Sequence, residues 1–322
     1  MEVLKKDVQR MKTISIVSPC YNEEDSIADC VDAVQKLFRD KLAEYQLEHI
    51  FCDNCSTDRT VEILKGIAAK LPNVKIIVNS RNFGILKNTY NGVLATTGDA
   101  VVLFLPVDLQ DPPDLIPEMA RLWESGYEIV FGIRARREES FFLRSARKLY
   151  YRVLSRLTYV DYPPDAGDFQ LVDRRVVEAM KRIDDAQPFM RLMTFDCGFR
   201  SVGIKYTWRS RKHGVSSNKL SHLLDQGMIG IISFSGAPIR LALLSGFLIA
   251  ALSLMYAAIV TLLTLTGHVK TLPGVPTIIA ALFFFGGIQL FFFGLIGEYI
   301  FAIFNQVRRK PLVIERERIN FD

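Results

Sequence analysis

From residue 13 onward, apolar and polar positions alternate in blocks that fit short strands and longer helices. Apolar runs bounded by polar residues predict strands at residues 13–18, 47–52, 74–79, 100–104, 128–132 and 201–208. Apolar residues at helical spacing predict helices at residues 26–38, 57–71, 84–96 and 113–125. Strands and helices that alternate in this way are typical of βαβ units. The pattern therefore predicts an α/β head with a Rossmann-like, mostly parallel sheet.

Two long apolar runs follow the head. Residues 241–265 carry no charge, and residues 278–304 carry only Glu298. A helix needs about 20 apolar residues to cross the ~30 Å hydrocarbon core of a membrane, so each run is long enough. The pattern predicts two C-terminal transmembrane helices that form a hairpin. Glycines in both runs favour close helix packing, so we also expect a homo-oligomer.

The basic residues set the expected orientation of this hairpin. The connector 267–276 holds one lysine, whereas the outer flanks hold Arg209, Arg211, Lys212, Lys219, Arg240, Arg308, Arg309 and Lys310. By the positive-inside rule, both outer flanks lie in the cytoplasm. Residues 1–12 are polar, which is not the pattern of a signal peptide. We therefore expect a multi-pass protein of the inner cell membrane with a cytoplasmic head.

These patterns divide the chain into four parts. Residues 1–210 form the cytosolic head, 211–238 interfacial helices, 239–306 the transmembrane hairpin, and 307–322 a cytosolic basic tail. The basic amphipathic stretch 140–158 has two interpretations that the sequence leaves open. It either packs on the sheet with a solvated basic side or contacts membrane lipids.

Charge and cysteine content narrow the class of partner. The net charge is +5 and the mean hydropathy is +0.17, and basic clusters lie beside the apolar runs. Such clusters favour anionic membrane lipids and phosphate-bearing substrates. The aromatic residues form no base-stacking platform, so no nucleic-acid partner is expected. Five cysteines without framework spacing indicate a reducing compartment.

Polar clusters follow three of the predicted strands, at residues 21–25, 53–58 and 108–111. Parallel sheets bind ligands at the carboxyl ends of their strands, so these clusters mark the expected site. Carboxylates alone repel a diphosphate, and a divalent metal is therefore needed between them. Asp108 with Gln110 or Asp111 offers the oxygen ligands that Mg²⁺ or Mn²⁺ prefers.

Seven motifs in order resemble those of family 2 glycosyltransferases with the GT-A fold. They are P-C-Y-N-E at 19–23, D-N-C-S-T-D at 53–58, R-N-F-G at 81–84, D-L-Q-D-P-P at 108–113, G-D-F-Q-L-V-D-R-R at 167–175, R-K-H-G-V-S at 211–216 and G-L-I-G-E-Y at 294–299. The last three, with the two apolar runs, resemble the polyprenyl-phosphate glycosyltransferases, the subgroup similar to dolichol-phosphate mannose synthase. The resemblance covers residues 13–311.

The resemblance implies transfer of a sugar, with inversion, from a nucleotide-sugar linked to UDP or GDP onto a polyprenyl phosphate. It implies a nucleotide pocket lined by Pro19, Tyr21, Glu23, Asp53 and Asp108. It implies a metal site at Asp108 and Gln110. The acceptor phosphate is expected at Arg134, Arg144, Arg211 and Ser216.

Asp168 is the residue expected nearest the reacting centre, with Asp108 as the other catalytic candidate. A capping role for Asp168, or a pairing with an arginine, is the structural alternative. A phosphomonoester has a second pKa of about 6, so a lipid phosphate is already an anion and needs little help from a base. Catalysis by positioning and charge neutralisation is therefore expected to outweigh proton transfer.

Two rival functions stay open, and two departures from the family motifs favour the first of them. Pro106 stands where the metal motif has its first aspartate, and Asn54 stands where the second loop has its second aspartate. A weaker or absent metal site would fit a non-catalytic membrane partner. Transfer to a lipid hydroxyl is the second rival, and it would make Asp168 indispensable as a base because a hydroxyl is not ionised at neutral pH.

Overall fold

The computed structural model describes residues 10–136, 163, 166–207 and 274–321, together with isolated positions between 239 and 266. The predicted helices at 140–158 and within 211–238 lie outside the described residues.

One sheet of eight strands organises the described part of the head. The strands are β1 (Thr13–Cys20), β2 (Gln46–Asp53), β3 (Val74–Asn79), β4 (Ala100–Val102), β5 (Ile129–Arg136), β6 (Ala166–Asp173), β7 (Ser201–Thr207) and β8 (Glu315–Ile319). Their order across the sheet is β7-β5-β6-β4-β1-β2-β3-β8. The central strands β4, β1, β2 and β3 are parallel, as are β5 and β7. Strands β6 and β8 run antiparallel to their neighbours. The expectation of a mostly parallel α/β sheet is confirmed.

Six of the helices whose bounds the structure describes belong to the head, and the seventh is a long exposed helix. They are α1 (Ile27–Lys41), α2 (Thr60–Ala68), α3 (Ile85–Leu94), α4 (Ile116–Glu124), α5 (Arg174–Ile183), α6 (Met190–Asp196) and α7 (Val275–Val307), with a short 3₁₀ helix at Pro113–Leu115. In α1, the buried residues recur at helical spacing and include Ile27, Val31, Val34 and Phe38. That stripe is the one whose periodicity predicted the helix, because burial of an apolar face stabilises a helix on a sheet.

The core lies on both faces of the central strands. Seven of the eight residues of β1 are buried, as expected for a parallel strand with helices on both sides. Helix α3 approaches the sheet so closely that a Cβ on Gly92 would stand 2.2 Å from the Cys52 sulfur. Only glycine fits there, and the contact holds α3 against the ends of β1 and β2.

The C-terminal strand β8 completes the sheet at its β3 edge. Ile76 pairs with Ile319 in antiparallel register, and the Asn320 side chain donates to the carbonyls of Ala68 and Val74 at 3.0 and 2.8 Å. The sequence pattern predicts a separate basic tail at residues 307–322. The structure instead includes residues 315–319 in the head sheet, because the open edge of β3 offers backbone partners to an extended segment.

Helix α7 is long and apolar, and it ends at the head. Its portion Phe284–Val307 has a mean hydropathy of 1.8 with none of the tested stretch buried, which fits a membrane span by length and composition. It is the one such helix in the described residues. Described positions of the first predicted span, such as Leu244 and Leu252, are helical, but the two-helix hairpin stays a prediction. The side chain of Gln306 joins α7 to the head by donating to the Asp184 carbonyl at 2.7 Å and accepting from the Ala186 amide at 2.9 Å.

Candidate active site

The polar loops singled out in the sequence gather at one edge of the sheet. Strands β1, β2 and β4 are parallel, so the loops that follow them leave the sheet at the same carboxyl edge. Strand β6 runs the other way, with Asp173 opposite Ala100 and Leu171 opposite Val102. Its first residues, including Asp168, therefore lie at this carboxyl edge as well.

The loops after β1 and β2 are bonded to each other. The Ser56 hydroxyl donates to the Asp53 carboxylate and accepts from the Asn22 amide at 2.9 Å. The Asn22 side chain in turn accepts from the Thr57 amide at 2.8 Å, and the Glu23 amide donates to the Thr60 hydroxyl at 2.9 Å. These contacts make the two loops one wall of the site.

The predicted nucleotide-pocket residues differ in exposure. Pro19 lies buried in β1, Asp53 has no exposed surface, and Glu23 is half-buried. Tyr21 is 44% exposed, which leaves its ring accessible to a ligand. Burial raises the pKa of Asp53, while hydrogen bonds from Ser56 and from the Cys55 amide oppose that rise. Asp53 is therefore built into the wall, and Tyr21 is the side chain that faces outward.

Asn54, which stands where the family motif has an aspartate, makes a hydrogen bond that an aspartate could not make. Its amide nitrogen donates to the Asn82 side-chain oxygen at 2.9 Å, and its own side-chain oxygen accepts from the Phe83 amide at 2.9 Å and from Asn79 at 3.3 Å. Because a carboxylate has no proton to donate to Asn82, an aspartate could not make the first of these bonds. Asn54 thus connects the loop after β2 to the turn after β3, where Gly84 has a φ of +87°.

The loop after β4 presents Asp108 and Gln110. Leu109 between them has a φ of +54°, and its amide donates to the Pro106 carbonyl at 3.0 Å. The Gln110 amide donates to the Asp108 carboxylate at 3.2 Å, and both side chains are partly exposed. Among the described residues, no three carboxylate, histidine or cysteine side chains form a metal-binding group. One carboxylate and one amide oxygen fit a Mg²⁺ or Mn²⁺ ion that takes its other ligands from water and substrate phosphates.

Asp111 belongs to a buried cluster below this loop. Its carboxylate is 1% exposed and accepts from Arg134 at 3.0 and 3.3 Å and from the Tyr206 hydroxyl. The Arg134 guanidinium also donates to the Tyr206 oxygen at 3.1 Å. Burial lowers the pKa of Arg134, but Asp111, Tyr206 and Asp168 together outweigh it and the net shift is upward. Burial and Asp111 both raise the pKa of Tyr206. Asp111 is thereby committed to Arg134 and Tyr206.

Asp168 forms a second pair, with Arg191. The Arg191 Nε donates to one Asp168 oxygen at 3.0 Å, and its Nη2 donates to the other. The side chains of Asp168 and Arg191 are 30% and 21% exposed. The sequence allowed this pairing as a structural alternative for Asp168. The paired carboxylate lies at the carboxyl edge of the sheet.

Sequence reasoning missed both Arg191 and Tyr206. Arg191 is a lone charge among the apolar residues 188–193, which was a signal for a buried pairing partner. Tyr206 gave no signal, since it lies in an ordinary strand pattern. Arg134 and Asp111 were both noticed, but nothing in the sequence pairs them. Arg144, Arg211 and Ser216, the other predicted acceptor residues, lie outside the described residues.

Comparison with known proteins identifies the family. Residues 15–180 match the family described as glycosyl transferase family 2, and residues 237–303 match the GtrB C-terminal hairpin. The glycosyltransferase YkcC of Bacillus subtilis (strain 168) is 37% identical over 301 residues, which cover 93% of this chain and 92% of that protein. The bactoprenol glucosyl transferase of Shigella phage SfX is 30% identical over 306 residues, which cover 95% and 99%.

Among solved structures, glucosyl-3-phosphoglycerate synthase from Mycobacterium tuberculosis, in complex with Mn²⁺, UDP and phosphoglyceric acid, is similar over 69% of this chain and 76% of that chain. The TM-score is 0.49 at 21% identity, which is too distant to support an argument about function. The two family matches and the relatives above, together with the strand-end motifs, lead to one conclusion. The chain belongs to glycosyl transferase family 2 and is a glycosyltransferase with a GT-A-like α/β fold.

Proposed function

We propose that this glycosyltransferase moves a sugar from a UDP- or GDP-linked donor to a polyprenyl phosphate at the cytoplasmic face of the membrane. The proposal rests mainly on one observation: the end of the apolar helix α7 contacts the head close to the candidate site. Gln306, one residue before the end of α7, is bonded to the backbone at 184–186. A few residues later, the Ile314 carbonyl accepts from the amide of Ser80, the first residue after β3.

Because Ser80 follows a parallel strand, this junction lies at the carboxyl edge of the sheet, where the candidate site opens. A lipid whose phosphate lies at the membrane surface would therefore meet the donor loops at that edge. The similarity to bactoprenol glucosyl transferases over nearly the whole chain supports a prenyl carrier as the acceptor. It also makes glucose the first sugar to test.

In the proposed reaction, an oxygen of the lipid phosphate attacks C1 of the donor sugar. The bond between C1 and the diphosphate breaks, and the nucleoside diphosphate leaves with the electron pair, so the configuration at C1 inverts. Pro19, Tyr21, Glu23 and Asp53 line the nucleotide pocket in this proposal. Asp168 faces the sugar, and it orients the sugar or the acceptor without needing to remove a proton from the phosphate.

Asp108 and Gln110 would hold the divalent metal, which supplies charge neutralisation for the departing diphosphate. Pro106 supplies no ligand, and Asp111 is committed to Arg134 and Tyr206. We therefore expect Asp108 to be the main protein ligand, and the metal affinity of the protein without nucleotide to be low. In the same proposal, Arg144, Arg211 and Ser216 contact the acceptor phosphate, and Arg134 contributes its charge to the acceptor site while it holds Asp111.

The remaining parts of the proposal concern the membrane. The match to a C-terminal hairpin family supports two spans, although one candidate helix is found among the described residues. We keep the expected multi-pass topology, the cytoplasmic head and the homo-oligomer as parts of the proposal. Cysteine accessibility on either side of sealed vesicles tests the first two, and mass photometry in detergent tests the third.

The experiment uses the purified full chain in detergent with undecaprenyl phosphate, Mg²⁺ or Mn²⁺, and a panel of nucleotide-sugars that begins with UDP-glucose. Released nucleoside diphosphate and the mass of the lipid product are measured. We expect one donor to give a metal-dependent lipid-phosphate sugar. Asp108→Ala should reduce its formation about 100-fold or more, since electrostatic groups at a transition state contribute on this scale.

Asp114→Ala is the matched control, because Asp114 lies in the same segment and its side chain is 57% exposed. Product from a lipid hydroxyl and none from the phosphate would replace the acceptor in the proposal. Silence with every donor, together with no binding of UDP or GDP, would count against transfer altogether.

A further inference from the structure

Asp168 and Arg191 form a two-point ion pair although both side chains are partly exposed. Both carboxylate oxygens accept from the guanidinium, through Nε and Nη2. An exposed or partly exposed ion pair adds little to stability, because water screens the charges. A two-point contact of this kind does fix the plane and direction of the carboxylate. The pair is therefore better suited to orienting a group than to stabilising the fold.

The helix that carries Arg191 is held in place by the residues that follow Arg191. Arg191 lies on α6, where its neighbours Leu192 and Met193 have no exposed surface. The Thr194 hydroxyl donates at 2.8 Å to Gln170, which is fully buried and lies two residues after Asp168 in β6. Phe195 packs edge-on against Phe131 of β5, with ring centroids 5.2 Å apart. Helix α6 and strand β6 thus form one support for the pair.

The pair lies beside the cluster that carries the candidate metal loop. The charge of Asp168 contributes to the electrostatic environment of Arg134, and Arg134 holds Asp111 at the end of the segment that contains Asp108. Strand β5, which carries Arg134, pairs with the start of β6 through Ile133 and Ala166, so the two ion pairs lie near each other. A shift of Asp168 by even about 1 Å would change its position relative to the loop after β4, and shifts of this size can cost about 100-fold in rate.

From these contacts we infer that Arg191 is a positioning residue of the transfer reaction, which fixes the direction of the Asp168 carboxylate toward the sugar or acceptor. The inference rests on the proposed function. Arg191 itself acts through Asp168. Lysine cannot replace it fully, because an ammonium group is a point charge and lacks the planar fork that contacts both oxygens.

The test compares Arg191→Lys, Arg191→Gln, Asp168→Asn and the double variant Asp168→Asn/Arg191→Gln in the full chain. Initial rates are measured with the donor that the wild type uses, across donor concentrations and pH. We expect both Arg191 variants to lower kcat about 10- to 100-fold with little change in KM for the donor. We expect the double variant to be no slower than Asp168→Asn alone, since Arg191 acts through Asp168.

Arg175→Gln is the matched control. Arg175 also pairs with a carboxylate of β6, Asp173, at 3.2 Å, but at the opposite end of the strand and with 68% exposure. It should stay within about twofold of the wild type, in line with a surface substitution. If Arg191→Gln lowers expression, Arg191→Lys, which keeps the positive charge and a long side chain, carries the test alone.

Three outcomes are separable. A wild type without product for any donor counts against the proposed function. Active wild type with both Arg191 variants within about twofold, or a double variant slower than Asp168→Asn by the full Arg191 effect, overturns the role of Arg191 alone. The role of Arg191 is supported if its variants have a reduced kcat and if Arg191→Gln causes no further reduction when Asp168 is already Asn.

Discussion

Two arginine–carboxylate pairs lie close together at the carboxyl edge of the sheet and differ in their surroundings. In the first, Arg134 and Asp111 are 17% and 1% exposed, and Tyr206 adds a third member. In the second, Arg191 and Asp168 are 21% and 30% exposed. The arginines are similarly covered, so the difference lies in the carboxylates. One carboxylate faces the protein interior, and the other faces the edge where ligands are expected.

This difference separates a structural task from a chemical one. A buried carboxylate has lost its hydration, so removal of its partner leaves an uncompensated charge that is costly to keep. A carboxylate that reaches solvent is rehydrated when its partner is lost, and the cost to the fold is small. The first pair therefore supports the loop that carries Asp108, and we propose that the second presents Asp168 to a ligand.

The largest expected effect is on the first pair. Arg134→Met should lower the free energy of unfolding by about 3–5 kcal/mol, because it strands Asp111 in the interior. Urea unfolding followed by tryptophan fluorescence measures it, since Trp123 is 8% exposed and packs in the core of the head. Asp111→Asn/Arg134→Met should recover part of the loss. An unchanged midpoint with a raised KM for the lipid phosphate would instead favour direct binding of the acceptor by Arg134.

Tyr206→Phe should have a smaller effect, about 1–3 kcal/mol of unfolding free energy. It removes the hydroxyl that donates to Asp111 and accepts from Arg134, while the ring keeps its packing against Phe169. The cost of an unsatisfied buried partner is of this size. Tyr127→Phe, at a partly exposed ring of the same head, serves as the control and should leave the urea midpoint unchanged.

A third ion pair, between Glu48 and Lys75, lies near the amino ends of β2 and β3. It tests whether a buried pair far from the site also stabilises the fold. Glu48 is buried and accepts from Ser15, Lys75 and Thr97. Burial raises its pKa, but these hydrogen bonds outweigh that effect, and the pKa lies below its ordinary value of 4.5. Because the folded-state pKa is depressed, the stabilisation is present above the unfolded-state pKa and is lost as pH falls through the folded one.

We therefore expect the unfolding midpoint of the wild type to fall more steeply below about pH 4.5 than that of Glu48→Gln. The measurement is a series of urea titrations from pH 6 to pH 3 (about one unit apart, enough to resolve a one-proton slope). If the urea midpoints of the two proteins depend on pH in the same way, protonation of Glu48 does not contribute to acid destabilisation.

The smallest effect on stability is expected at the second pair. Arg191→Gln should change the free energy of unfolding by no more than about 1 kcal/mol, as for other partly exposed ion pairs. The same urea titration measures it beside Arg134→Met. A loss as large as that of Arg134→Met would remove the contrast between the two pairs and make Arg191 a structural residue.

Much of the fold could be predicted from the sequence, where local pattern and burial agree. The predicted strand at 74–79 matches β3, and the predicted helix at 26–38 corresponds to α1 (Ile27–Lys41). Strand β8 was not predicted, because its sequence ERERI alternates charges and has little apolar content. It is a strand because an open edge of the sheet lies beside it, and that is a tertiary fact.

The site was predictable to the level of its loops and no further. Motifs after β1, β2 and β4 placed Tyr21, Asp53 and Asp108 correctly at strand ends, because parallel strands bring their carboxyl ends together. The ion pairs were not predictable, since the partners of each pair, Arg134 with Asp111 and Arg191 with Asp168, are 23 residues apart in sequence. Which arginine meets which carboxylate depends on strand order, and that order comes from the whole sheet.

The position of β8 in the chain has a consequence for biosynthesis. The strand follows helix α7, so it emerges from the ribosome after the apolar helix has been made. Until then, β3 presents an unpaired edge, and the Ser80 amide lacks its bond to Ile314. The head therefore completes its sheet only after the apolar helix has been synthesised. A chain that stalls within α7 leaves a head with an open edge, which is a target for aggregation and quality-control proteolysis.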